Sequence, residues 1–169
     1  MAGQQGVACF ASERVKGEVL FSSKKDSRAT LVKAYFTDLP KGKHGFHIHR
    51  AGDLRGEGCM GACEHYHRGA PCDHGSAPLH KKHQERHTGD LGNIEVNQHY
   101  SYLIYAPLND LFGRSVIVHA DEDDLGKGEH EDSKITGHSG ARIGCALIGR
   151  ASMSHCQPKF SKTRKQSKQ

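Results

Sequence analysis

Residues 45 to 49 read GFHIH, two imidazoles separated by one isoleucine. On a strand, residues i and i+2 share a face, so His47 and His49 stand side by side, about 6 to 7 Å apart. Gly45 lets another backbone come close, while Phe46 and Ile48 face the opposite side. One strand thus offers two neutral nitrogen donors to something between them; a pair satisfied by hydrogen bonds is the plainer alternative. Further donors follow along the chain. His119 ends the apolar run RSVIVH, and the stretch between supplies His65, His74, His87 and Asp90. Three imidazoles with a fourth suit copper, whose divalent state favours a tetragonal nitrogen set. Three histidines with an aspartate suit a closed tetrahedral zinc. A histidine serving both ions would use both of its ring nitrogens.

These donors need elements to hold them. Short segments rich in Val, Ile, Tyr and Phe recur: VKGEVLFSS, ATLVKAYFTDL, GFHIHRA, NIEVNQ, SYLIYA, RSVIVHA and RIGCALIGRA. Clusters of Gly, Asp, Asn, Pro or Ser separate them, the pattern of an antiparallel sandwich or barrel. Two long loops interrupt it, residues 50 to 92 and residues 121 to 141. Loops of that length in a compact domain are usually functional, and a metal ion or a disulfide would order them in place of a core. Six of the 14 histidines (His65, His67, His74, His80, His83 and His87) fall in the first loop.

With 169 residues the chain has the length of one domain, read here as residues 1–156 followed by a basic tail, 157–169. The net charge of +5 belongs to that tail, which carries five of the 24 basic residues and no acid. The remainder is balanced, so the charge does not indicate a nucleic-acid partner, and QPKFSKTRKQSKQ reads as a solvated segment. No stretch approaches the roughly 20 apolar residues of a membrane span. The start, MAGQQGVACF, lacks a charged n-region followed by an apolar h-region, which points to the cytosol. The six cysteines form neither a CxxC pair nor a zinc-finger pattern. Cys9 reads as a buried thiol.

Taken in order, GFHIH, GDLRGEGC with His65, HGSAP, RHTGDLGN, VIVHADEDDLGKG and TGHSGARIGCALIG resemble the copper/zinc superoxide dismutase family, from about Val7 to Ala151. The resemblance implies an all-β, eight-stranded antiparallel Greek-key barrel with two long functional loops. It implies a copper ion held by His47, His49, His65 and His119, and a zinc ion held by His65, His74, His87 and Asp90. Asp123 matches the aspartate that orients ligands of both metals. Arg142 matches the arginine that attracts and holds the substrate anion, and Thr136 the threonine that narrows the channel. Cys59 and Cys145 match the intradomain disulfide. The implied activity converts superoxide to dioxygen and hydrogen peroxide through Cu(II) and Cu(I), in a homodimer.

The chain departs from the family in places. Its zinc loop is longer near APLHKKHQ, which leaves His80 and His83 as alternatives to His74 as the middle zinc ligand. The connection APLNDLFGR, in the region of the family's dimer contact, is shorter than usual, and Arg150 stands where an apolar residue is common. Ile135 occupies a position where a steering lysine is frequent. Cys63 and Cys72 read either as a second disulfide or as thiols, and His44 as a structural hydrogen-bonding residue. Two rival readings remain: a dismutase-like copper chaperone or metal-binding module without turnover, and a metal-storage protein suggested by the surplus histidines.

Overall fold

The computed structural model describes residues 4–24, 28–75 and 86–152. His80, His83 and the basic tail lie outside the described residues. The strands are β1 (Gln5–Ala11), β2 (Lys16–Ser23), β3 (Thr30–Asp38), β4 (His44–His49), β5 (Asp90–Ile94), β6 (His99–Ile104), β7 (Ser115–His119), β8 (Arg142–Leu147) and β9 (Gly149–Arg150). One helical turn, α1 (Ser133–Thr136), lies in the second long loop.

Two antiparallel sheets form, in the orders β6-β3-β2-β1-β9 and β5-β4-β7-β8. The chain crosses from the first sheet to the second between β3 and β4 and returns between β5 and β6, which is the Greek-key path. β8 and β9 are one strand that changes sheet at Ile148, so the expected eight strands are present with the last divided. Its second part pairs with β1 through Gly6 with Arg150 and Val7 with Gly149, closing the barrel on that side.

Alternation explains which faces pack. In β3, Thr30, Val32, Ala34 and Phe36 are buried while their neighbours point outward. In β1, Ala8 and Phe10 take the inner positions. Period two therefore turns Cys9 outward; it is exposed, against the expectation of a buried thiol. Phe36 and Phe46 meet edge to face at 5.7 Å between ring centres and join the two sheets across the core.

β4 and β7 are buried at every position. Phe46, Ile48, Val116 and Val118 face the core, and His47, His49 and His119 face the other side, where the long loops cover them. The polar face of these strands is thus roofed rather than solvated, which gives a functional site a dry floor. No helix among the described residues is long and apolar enough to cross a membrane.

Candidate metal centre

β4 presents His47 and His49 as the spacing requires, and β7 ends with His119 beside them. Gly45 begins this face because a side chain there would meet the Ser139 hydroxyl at 2.6 Å. The first long loop is tied to β4 by a bridge between His49 and His65. From there it brings His65, His74 and His87 against Asp90, the first residue of β5. His47, His49, His65 and His119 form one group of donors, and His65, His74, His87 and Asp90 a second; within each group the donor atoms lie within 4.8 Å of one another. His65 belongs to both.

Each of these imidazoles except His87 has one nitrogen engaged. His47 Nε2 donates to Asp123 Oδ2 at 2.8 Å, and His74 Nε2 donates to Asp123 Oδ1 at 2.8 Å. His49 Nδ1 donates to the Cys63 carbonyl at 2.8 Å, and His119 Nδ1 to the Gly140 carbonyl at 3.2 Å. The nitrogens left over (His47 Nδ1, His49 Nε2, His65 Nε2, His119 Nε2, His74 Nδ1 and His87 Nδ1) are buried without a hydrogen bond. One such atom costs about 1 to 3 kcal/mol. Six converging on two points are a cluster of unused lone pairs, and a cation satisfies them. Asp90 Oδ1 lies 2.8, 3.0 and 3.4 Å from Nδ1 of His65, His74 and His87. Its other oxygen accepts backbone N–H groups of Gly75 and His87.

Burial, reinforced by neighbouring imidazoles, holds His47 and His49 below the usual imidazole range. Burial also lowers His65 and takes His119 down to about 4. These rings keep free lone pairs at neutral pH. Burial acts the same way on His74, but its hydrogen bond to Asp123 and the adjacent Asp90 carboxylate prevail and raise it to about 9. Burial alone would raise Asp90; the hydrogen bond from His65 and the close His74 and His87 rings instead hold it well below the usual carboxylate range.

Asp123 joins the two groups and is itself clamped. Its N–H donates to Asn93 Oδ1 at 2.7 Å, and Asn93 Nδ2 donates to its carbonyl at 2.8 Å. Gly137, at φ 71, passes so close that any side chain would overlap the Asp123 carboxylate and the His74 ring. Sequence reasoning missed Asn93 and Gly137; their signal was only their place inside RHTGDLGN and TGHSGAR.

Above the first group opens a cleft of about 740 Å³, lined by His49, His65, His119, Arg142, Thr136 and Asp132 among others. Arg142 starts β8, and its guanidinium donates from Nη1 to the Cys59 carbonyl at 2.8 Å and from Nη2 to the Cys63 carbonyl at 2.6 Å. Cys59 and Cys145 are disulfide-bonded, so β8 holds the same turn twice. Cys63 and Cys72 are not joined to each other; the Cys63 thiol donates to the Gly61 carbonyl, and Cys72 lies 3.6 Å from His67 Nε2. His44 stays outside both groups, with Nδ1 at the His119 carbonyl and Nε2 at the Pro40 carbonyl. Ile135 is exposed beside the cleft residue Thr136.

Comparison with known proteins adds to this geometry. A chain provisionally named as a copper–zinc superoxide dismutase of Autographa californica nuclear polyhedrosis virus is 39% identical over 150 residues, which is 83% of this chain and 95% of that protein. The crystal structure of a protein described as the clock protein EA4 superposes with a TM-score of 0.75 at 32% identity, covering 89% of this chain and 97% of the other. The family model for copper/zinc superoxide dismutase matches residues 15–148. That span contains both donor groups, the disulfide and Arg142: this chain belongs to the copper/zinc superoxide dismutase family.

Proposed function

We propose that this protein dismutes superoxide, with copper held by His47, His49, His65 and His119 and zinc by His65, His74, His87 and Asp90. The observation that carries the reading is His65, whose Nε2 sits unbonded in one donor group while its Nδ1 faces Asp90 in the other. Four imidazole nitrogens suit copper, and three imidazoles with a carboxylate suit zinc, so the residues present fit both ions. Bound copper would supply one-electron chemistry between its divalent and monovalent states, and zinc a redox-silent charge.

The chain's own residues do the rest. Arg142 spends two N–H groups on the Cys59 and Cys63 carbonyls, which fixes the fork and leaves its remaining donors for a small anion. Thr136, which lines the same cleft, limits what enters. Asp123 fixes the rings of His47 and His74, so both donor sets share one orienting carboxylate. His65 lines the cleft, and its Nε2 is the ring nitrogen that would hold or release a proton when copper does not engage it. A cytosolic homodimer accompanies this reading as a family expectation, which light scattering would test.

Metal analysis with a superoxide-dismutation assay tests the function. One copper and one zinc per chain with turnover are expected, and His47→Ala should lose copper and activity while the far-ultraviolet spectrum stays unchanged. A metal-loaded His47→Ala protein with normal turnover would reject the copper assignment. Bound metal without turnover would favour the metal-binding module.

A further inference from the structure

The cleft that receives an anion also contains a carboxylate. Asp132, immediately before α1, lines it together with Arg142. Its Oδ1 accepts from His138 Nδ1 at 2.7 Å and its Oδ2 from Thr136 Oγ1 at 3.2 Å. The His138 ring in turn lies flat on His130, with ring centres 3.6 Å apart and planes 9° from parallel. His138 and Asp132 are about half exposed, at 49% and 47%. His138 adopts φ 49, the left-handed region that few side chains tolerate.

We propose that His138, braced by His130, sets the charge of Asp132 at the cleft mouth and thereby makes anion entry depend on pH. This rests on the cleft being the entry path for superoxide, as read above. Imidazole is the side chain whose charge ordinarily changes near neutral pH. With His138 protonated, the pair is neutral and Arg142 acts on the anion unopposed. With His138 neutral, its Nδ1–H still donates, so the geometry survives while Asp132 carries a full negative charge. The other charged groups nearby are committed or fixed. Glu57 and Glu64 line the same cleft, with Glu64 paired to Arg50 at 2.6 Å. Lys134 of α1 turns to Asp73 at 3.7 Å, and Glu131 adjoins Asp132 in the chain. The His138 hydrogen bond holds Asp132 below its ordinary carboxylate range, in keeping with a pair that is charged on both sides when His138 is protonated. The His130 ring stacked against His138 keeps Nδ1 aimed at Asp132.

One charge at roughly 6 to 10 Å in water of low ionic strength changes the local concentration of a monoanion about two- to threefold. At fixed low ionic strength kcat/KM should therefore fall about two- to threefold as pH rises and His138 loses its proton. His138→Asn is the informative variant, because asparagine tolerates positive φ. It should show no step and keep the wild-type value of high pH throughout. Asp132→Asn should be about two- to threefold faster than wild type at pH 8.5 by the same estimate. NMR titration of the zinc-loaded protein gives a readout free of turnover: the His138 midpoint should drop in Asp132→Asn. Azide affinity of the copper-loaded protein, followed optically, should show the same step as kcat/KM. A step that persists in His138→Asn, or a His138 midpoint identical in wild type and Asp132→Asn, overturns the proposal. A protein inactive towards superoxide whose azide affinity still steps with pH, and loses the step in His138→Asn, would reject the dismutase reading and keep the gate.

Discussion

His119 shows how the site couples to stability in the absence of metal. Burial takes its pKa from an ordinary imidazole value down to about 4, and His47, His49 and His65 move in the same direction. Below pH 6.5 the unfolded chain binds protons that these folded rings refuse, so stability is lost as pH falls from about 6.5. A shift of the size seen at His119 corresponds to about 3 kcal/mol. His74, raised to about 9, has the opposite sign: its contribution is complete below about pH 6.5 and is lost on the way up to about 9. Four groups outweigh one on the acid side. Metal-free protein should therefore melt at a lower temperature at pH 5 than at pH 7, as calorimetry would show; equal melting temperatures would contradict buried neutral rings. Arg142 gives a second test at this scale. A lysine keeps the charge but cannot reach both the Cys59 and Cys63 carbonyls as a planar fork does. Arg142→Lys should lose part of kcat/KM and Arg142→Glu more, and the wild-type decline with added salt should flatten or invert in Arg142→Glu. The sign of that slope in stopped-flow measurements decides it.

The turn spanning Glu57–Ala62 is an element whose order comes from outside itself. Cys59 and Cys63 adopt φ of 55 and 62, where non-glycine residues are strained. What holds them is β8, through the disulfide and through Arg142, while the Cys63 carbonyl also anchors His49. Closing a loop of 86 residues' separation contributes about 4 to 5 kcal/mol in the chain-entropy account. Cys59→Ser should lower the melting temperature and also reduce kcat/KM well below that temperature, because Arg142 and His49 lose the carbonyls that aim them. Intact turnover in a destabilised Cys59→Ser protein would show that the turn does not position the site. Zinc removal should speed hydrogen exchange across residues 63–75 and 86–90, where the ligands are the packing. Much of this lay open in the sequence. Period two placed His47 and His49 on one face without any relative, and the donor types suggested two metals. The Cys59–Cys145 pair and the choice of Asp123 out of DEDD came only through resemblance. The carbonyls of Cys59 and Cys63 were not legible at all, since backbone acceptors are set by φ and ψ rather than by residue type.

At the scale of the molecule, the strands that patterning found were those with branched and aromatic inner faces. β1 was missed because Gly6 and Ala8 are weak strand formers; it exists through seven paired positions with β2. β5 begins at Asp90 rather than Asn93 because its pairing with β4 has an irregularity between Gly45 and His47, which aligns Asp90 with His47. The sheet change at Ile148 was likewise invisible, as RIGCALIGRA reads as one uninterrupted strand.

That sheet change has a consequence for chain connectivity. Where the last strand crosses to β1, the Ala151 N–H donates to the Gln5 carbonyl at 2.9 Å. The two extremities of the barrel thus touch, and the polypeptide is nearly a ring with one cut in it. A ring can be cut elsewhere. The connection between β3 and β4 is a good place, because Lys41 and Gly42 are exposed and Gly42 has open space around it. A circular permutant joined from Ala151 to Gln5 through a short glycine linker, and opened between Lys41 and Gly42, should fold and bind the same number of metal ions. Failure of that permutant to bind metal, with secondary structure retained, would mean that β4 needs its covalent approach from β3 to set the histidines in place.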